Sequence, residues 1–414
     1  MKLLKKIFLL LLLLPAFTYV NSETIKVGAN EKFKTPEEAV RYSSDGDRII
    51  LSGGVYPVSA LVIDKRIVLE GEKGAVIDGS LLKEILTVTA DSVTIRNLTL
   101  RNTGTSFVTD VAAIRLENVS GCVLENNTVE NSFFALYLSS SRNCTVTGNR
   151  IAGNSVSESF SGNGIHLWKC SNIAITNNEV SGQRDGIYLE FSVNSEISGN
   201  TSRGNLRYGL HFMFSEGNRY IDNVFRNNGA GVAVMYTKRI TMTGNRFEDN
   251  WGANSYGLLL KDIDNSLIYS NTFTRNTAAI YMEGSNRVNV FGNNFENNGW
   301  ALKILGNCYG DSVMNNSFSN NTFDVSTNSS GNTNFFMNNY WDKYRGYDLD
   351  RDSRGDVPYR PVSLFSLVVE RVPEAVVLTG SFLVDLLDAA EKIVPVFTPE
   401  TLADNHPLMN RDAK

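Results

Sequence analysis

The chain repeats itself. Gly148-Asn149-Arg150-Ile151 returns as Asn177-Asn178-Glu179-Val180, Gly199-Asn200-Thr201-Ser202, Asp222-Asn223-Val224-Phe225 and Gly244-Asn245-Arg246-Phe247. The unit continues through Ser270-Asn271, Gly292-Asn293 and Asn315-Asn316 to Asn338-Asn339-Tyr340-Trp341, and Asn126-Asn127-Thr128-Val129 precedes them all. The central Asn falls at 127, 149, 178, 200, 223, 245, 271, 293, 316 and 339, with gaps of 22, 29, 22, 23, 22, 26, 22, 23 and 23 residues. Self-similarity at this period means a solenoid, whose units bury their apolar faces only by stacking on one another. The Leu-x-x-Leu-x-Leu signature of a leucine-rich repeat is missing. Each unit instead carries alternating segments separated by Asn and Gly, the longest being GIHLWKC (164–170), GIYLEFS (186–192), GLHFMFS (209–215), GVAVMYT (231–237), GLLLKDI (257–263) and AIYMEGS (279–285). Alternation at period two is a strand with one buried face. Asn and Gly tolerate left-handed corners, and an inward Asn stacked on its equivalent forms a hydrogen-bonded ladder. The expected fold is all-β: a right-handed parallel β-helix of 22–23 residues per coil with a short helical C-terminal tail.

The ends bound the solenoid. Lys2, Lys5 and Lys6, the apolar run Ile7 to Phe17 and the small residue at Ser22 read as a secretory signal peptide over 1–22. Residues 23–90 read as an N-terminal cap with the first coils, including a short helix over Pro36 to Tyr42. Residues 91–341 are the regular repeats, and 342–414 a loop and helical tail. Removing the three leader lysines takes the formal charge from −5 to −8, which argues against a nucleic-acid partner. The four Cys, at 122, 144, 170 and 308, form no metal-type CxxC. Cys122 and Cys144 share one offset in adjacent coils and should point inward, as buried thiols or as a disulfide.

Three coils are longer than the rest, near Thr105–Val111, Ser155–Gly162 and Trp251–Ser255. Each insertion falls just before the alternating strand, so all three should emerge on one side, a placement that often marks a binding face. Beyond Trp341, Asp348, Asp350, Asp352 and Asp356 are spaced like calcium ligands, but Ser353 stands at the position of the usual loop glycine; a solvated, Arg-paired turn is the competing reading. Ser363 can cap a helix over Leu364–Val372, and Pro373 can open a second over Glu374–Val394, which carries an apolar stripe. That stripe can cover the open end of the solenoid or dock on a partner or membrane surface.

Stacking at about 4.8 Å per coil turns equivalent outward positions into files. One reads Arg115, Tyr137, His166, Tyr188, His211, Ala233, Leu259, Tyr281, Lys303; its neighbour reads Glu117, Ser139, Trp168, Glu190, Met213, Met235, Lys261, Glu283, Leu305. His211 and Met213 share a strand face, and Met235 lies one coil from Met213. Imidazole with two thioethers suits a soft ion, Cu(I) first. His166, two coils from His211 and roughly 9–10 Å away by the same spacing, belongs to a looser or second site. The plain alternative is an apolar patch beneath the inserted loops. Catalysis of the carbohydrate-active kind, as in a polysaccharide lyase, hydrolase or epimerase, needs paired carboxylates, and Glu190 and Glu283 stand four coils apart.

The export signal, the opening GDRIILSGGVYPVSALVIDKRIVLEG, the Asn-rich coils and the ending NYWDKYRGYDLDRDSRGDVPYRPVSLF…NHPLM resemble the NosD family, periplasmic β-helix proteins for maturation of nitrous oxide reductase. The resemblance spans the mature chain, and the YWDxYRGYDxDxD…GDVPYRPVSLF block is its specific part. It implies a periplasmic accessory protein, not an enzyme. Its partners would be the membrane and ATPase subunits of an ABC transporter, a copper chaperone and nitrous oxide reductase, and it would meet the membrane peripherally, through a partner. It adds weight to copper at His211, Met213, Met235 and His166, with His406 and Met409 as lesser candidates. Ser353 departs from the Gly that relatives tend to carry, which weakens calcium in the Asp loop.

Overall fold

The computed structural model describes residues 22–106, 108–329, 333–393 and 402–411; the signal-peptide reading of 1–22 falls almost wholly outside them. Three parallel sheets of 14, 13 and 12 strands run the length of the molecule. One coil shows the plan: Thr145–Thr147 joins the first sheet, Arg150–Ala152 the second and Ile165–Trp168 the third, each pairing in register with the coils before and after. The expected parallel β-helix is what forms.

The corner between the first two sheets explains the repeated dipeptide. Its first residue takes a left-handed backbone, with φ 64° at Gly148, 55° at Asn177, 53° at Asp222 and 54° at Asn338, so Gly, Asn and Asp recur there, with Ser270 the exception at φ 54°. The following Asn is buried and forms the ladder. Asn200 Nδ2 donates to Asn223 Oδ1 at 3.0 Å and to the Ile175 carbonyl at 2.8 Å, while its backbone N–H donates to the same Asn223 oxygen at 2.9 Å. Every corner amide buried by stacking thereby finds a partner. A second ladder, not anticipated from the sequence, runs up the corner before the third sheet through Asn205, Asn228, Asn250, Asn276, Asn298 and Asn321. Between the ladders, Phe247, Phe273, Phe295, Phe318 and Trp341 stack with ring centroids 4.1–5.0 Å apart.

All four cysteines are buried thiols. The helix Pro36–Tyr42 forms as expected, capped by Thr35 and Glu38 in a reciprocal box. At the other end Ser363 caps Leu364–Arg371, but the long second helix is a misreading. The chain makes a 3-10 turn over Pro373–Leu378, breaks at Gly380 (φ 75°), and restarts as Phe382–Ile393. Gly380 costs helix stability and supplies the left-handed angle that ends the turn. Phe365, Val369 and Val384 pack on Phe323 of the last third-sheet strand.

The chain then returns. Buried Asp404 occupies the place of the next ladder Asn: its Oδ2 accepts from Asn339 N (2.9 Å), Asn339 Nδ2 (3.0 Å) and Trp341 Nε1 (3.1 Å). Its Oδ1 accepts from Asn338 N and His406 N. The solenoid is sealed by the terminal segment as well as by the helices.

Candidate functional site

The outward face of the third sheet, beside the inserted loops, holds the predicted residues. Strands Ile165–Trp168, Asp185–Glu190, Tyr208–Met213 and Ala230–Lys238 align His166 with Tyr188, His211 and Ala233, and Glu190 with Met213 and Met235. The predicted files are therefore the observed ones. Met213 and Met235 are half-buried neighbours, and the Tyr188 hydroxyl lies 3.9 Å from Met213 Sδ.

The two histidines are only 8% and 4% exposed, because aromatic rings cover them. Tyr137 stacks on His166 at 4.5 Å, Tyr188 separates His166 from His211 at 4.8 and 4.9 Å, and Tyr208 closes over His211 at 4.9 Å. His166 and His211 thus belong to one aromatic file with the Tyr188 ring between them. Asn163 Nδ2 lies 3.0 Å from His166 Nδ1. Burial, with the Arg184 charge adding to it, pushes the His166 imidazole down to about 3, so the ring is neutral.

Behind His211 lies a charge network that sequence reasoning missed. Fully buried Asp185 takes two bonds from Arg207, at 2.9 and 2.5 Å, and its Oδ2 lies 3.6 Å from His211 Nδ1. Burial opposes its charge, but hydrogen bonds from His211 and Arg207 and the Arg207 charge outweigh that and hold the carboxyl below its usual range. Arg207 Nη2 is 3.2 Å from the same His211 Nδ1, so that nitrogen stands between a guanidinium and a carboxylate and its role follows the tautomer. His211 Nε2 is buried and, among the described residues, has no hydrogen-bond partner. Asp185 escaped notice because it precedes Gly186, where alternation breaks: a Cβ there would collide with the Ser202 hydroxyl and the Gly209 carbonyl. The local signal is the Asp-Gly pair opening this one strand.

The other candidates lie elsewhere. His406 is exposed and Met409 half-buried on the returning segment, which pairs with the coil of Tyr340, six second-sheet strands beyond Thr201–Arg203. Asp348, Asp350 and Asp352 bring ligand oxygens within 4.8 Å of one another. The Asp348 carboxylate is already engaged by the backbone N–H groups of Arg351 and Ser353, at 2.6 and 3.0 Å, and Ser353 adopts φ 70° in the glycine position.

Comparison with known proteins follows this geometry. Residues 153–346 match the family described as "Periplasmic copper-binding protein (NosD)", and residues 84–163 match "Right handed beta helix region". The chain is 30% identical over 401 residues, covering 91% of it and 92% of the relative, to a "Probable ABC transporter binding protein NosD" of Pseudomonas aeruginosa. It is 28% identical to a protein of the same description from Stutzerimonas stutzeri, over 88% of this chain and 87% of that one. Among solved structures it resembles the catalytic unit of a GH87 α-1,3-glucanase from Streptomyces thermodiastaticus (TM-score 0.63, 15% identical, 74% of this chain and 65% of that one). It also resembles a PL6 alginate lyase in complex with a trisaccharide (TM-score 0.57, 13% identical, 77% and 85%). At these identities the two enzymes share the fold, and fold does not carry activity. The full-length relatives are named as binding proteins, in keeping with the non-enzymatic reading. With 30% identity across about nine-tenths of both chains and the family match over the central coils, this chain belongs to the NosD family, described as periplasmic copper-binding proteins.

Proposed function

We propose that this protein is a periplasmic copper-delivery scaffold that works with an ABC transporter and a copper chaperone to assemble the copper centre of nitrous oxide reductase. The observation that carries the copper assignment is the unpartnered, buried His211 Nε2 on the strand that presents Met213, with Met235 in register beside it. An imidazole and two thioethers in a surround of tyrosine rings fit a soft monovalent cargo better than a hard cation. Copper taken by Nε2 needs that nitrogen free of its proton. The proton then resides on Nδ1, whose nearest carboxylate is Asp185, in the manner of the second-shell acids that orient ligating histidines. His166, already neutral, is the neighbouring candidate beyond Tyr188.

The relatives named for an ABC transporter support a transporter partner, and the tail offers the docking element. Val377, Phe382, Leu383 and Leu386 are exposed on the two tail segments, with Asp385, Asp388 and Glu391 interspersed. An acidic amphipathic helix suits a protein groove better than an anionic lipid surface. Anaerobic Cu(I) titration against a chromophoric competitor tests the site. His211→Ala and the Met213→Ala/Met235→Ala pair should each weaken binding at least tenfold; unchanged affinity in both removes these residues from the proposal.

A further inference from the structure

Where each coil leaves the third sheet, one residue takes a left-handed backbone. Asn118 (φ 54°), Ser140 (50°), Asp262 (51°) and Gly284 (60°) share this register position, and small or short polar side chains suit it. Three consecutive coils place large rings there instead, at Phe191 (φ 50°), Phe214 (50°) and Tyr236 (53°). A bulky residue at positive φ is strained, and such strain gathers at functional sites. Core burial does not offset it, because the three side chains are 45%, 45% and 43% exposed. The coil geometry is met without rings in the neighbouring turns, so the fold does not call for them.

The rings form a pile. Centroids are 5.2 Å apart in both gaps, with interplanar angles of 11° and 12°. Phe214 is thereby covered on both faces and meets solvent with its edge. A ring edge is the electropositive part of the π-system, and a thioether sulfur is a neighbour that it favours. The pile also borders the sulfurs of the copper site: half-buried Met213 precedes Phe214, and half-buried Met235 precedes Tyr236. A soft ion that reaches or leaves those two thioethers needs a soft ligand on the other side. Exposed apolar rings at that place mark where the bearer of the ligand rests.

We infer that the Phe191, Phe214 and Tyr236 pile is the docking strip for a methionine-bearing segment of the protein that exchanges Cu(I) with this chain. The segment's thioethers lie along the ring edges, beside Met213 and Met235. The choice of occupant rests on the copper reading above. The ion passes by exchange of ligands: one copper–sulfur bond forms as another breaks, and copper stays Cu(I) throughout.

The test is fluorescence anisotropy on the metal-free mature chain with a labelled peptide, Ala-Met-Ala-Met-Ala, and its norleucine twin. Anaerobic stopped-flow transfer of Cu(I) from the methionine peptide follows. The methionine peptide should bind about 3- to 10-fold more tightly than the twin, the ratio that one or two sulfur–edge contacts supply. Phe214→Asn with Tyr236→Asn should erase that preference and slow Cu(I) transfer by about the same ratio, while Cu(I) affinity against a chromophoric competitor stays unchanged. Asn accepts the left-handed angle, as Asn118 does, and circular dichroism confirms that each variant is folded. Met213→Ala with Met235→Ala should lower Cu(I) affinity yet leave metal-free docking in place, so the copper reading and this one fail separately. Equal binding of the two peptides, a preference or a transfer rate that survives the Asn pair, or no binding of the methionine peptide at about 1 mM would each overturn the inference. Loss of Cu(I) affinity in the Asn pair would make the rings part of the metal site and overturn it too.

Discussion

Replacing Asp404 with Ala tests the claim that the returning terminal segment closes the asparagine ladder. Asp404 is fully buried and accepts from Asn339 N, Asn339 Nδ2 and Trp341 Nε1 through one oxygen. The donors sit in residues no more than 1% exposed, so water does not replace the carboxylate without the end opening. Each buried donor left unmade costs about 1–3 kcal/mol, giving about 3–9 kcal/mol for the three. Coils in a solenoid contact only their neighbours, so the loss should stay local. Hydrogen exchange followed by mass spectrometry should show protection falling in peptides covering 313–341, with those covering 124–200 unchanged. Asp404→Asn should cost less, because its amide oxygen can serve Asn339 while its NH2 faces the N–H groups of Asn338 and His406. Undiminished protection in 313–341, or a loss spread evenly along the chain, would refute the reasoning.

Asp311 supplies a pH prediction. It lies in the same inward file as Asn218 and Asn334, and burial pushes its carboxyl up to about 7. A raised folded-state value means stability is fully present below pH ~4 and is lost as pH rises through about 7, by about 4 kcal/mol over that window. Asp311→Asn should flatten that stretch of the Tm–pH profile and raise Tm at pH 7.5; an unaltered slope would count against burial of the charge. Asn218 donates to the Ser192 carbonyl and Asn334 to that of Cys308, so an amide at 311 has the equivalent Ser285 carbonyl to reach. Phe382→Asp with Val377→Asp should abolish co-purification with the transporter subunits while leaving Tm within about 1 °C, because both side chains are exposed. Retained co-purification would place the docking surface elsewhere. Deleting 362–414 is a poorer test, since it also removes Asp404.

The coils were legible because one corner imposes a left-handed residue and a buried amide on every turn, which leaves a strict mark at 22–23 residues. The outward files followed from that register, and with them the juxtaposition of Met213 and Met235 and the place of His211. The second ladder is as regular, Asn205 to Asn321 each standing five residues after a first-ladder Asn, but it starts late: the equivalent positions of earlier coils include Ser132 and Gln183. Asp185 was invisible to a period-two reading because Gly186 breaks the alternation. Asp404 belongs to no repeat at all; it meets Asn339 from 65 positions further along the chain, a pairing that only the closed end defines. Gly380 had a readable signal, a helix-weakening residue within an apolar stripe, that the stripe itself obscured.

The acidic tail helices leave the solenoid where Val362 bridges Val325 and rejoin it where Asp404 bridges Phe336 and Leu408 bridges Tyr340. Between those two anchors Phe365, Val369 and Val384 lie on Phe323 and Glu370 pairs with Lys303, so the tail is a clasp rather than a free pennant. A partner that binds it takes hold of the last coils at several places at once.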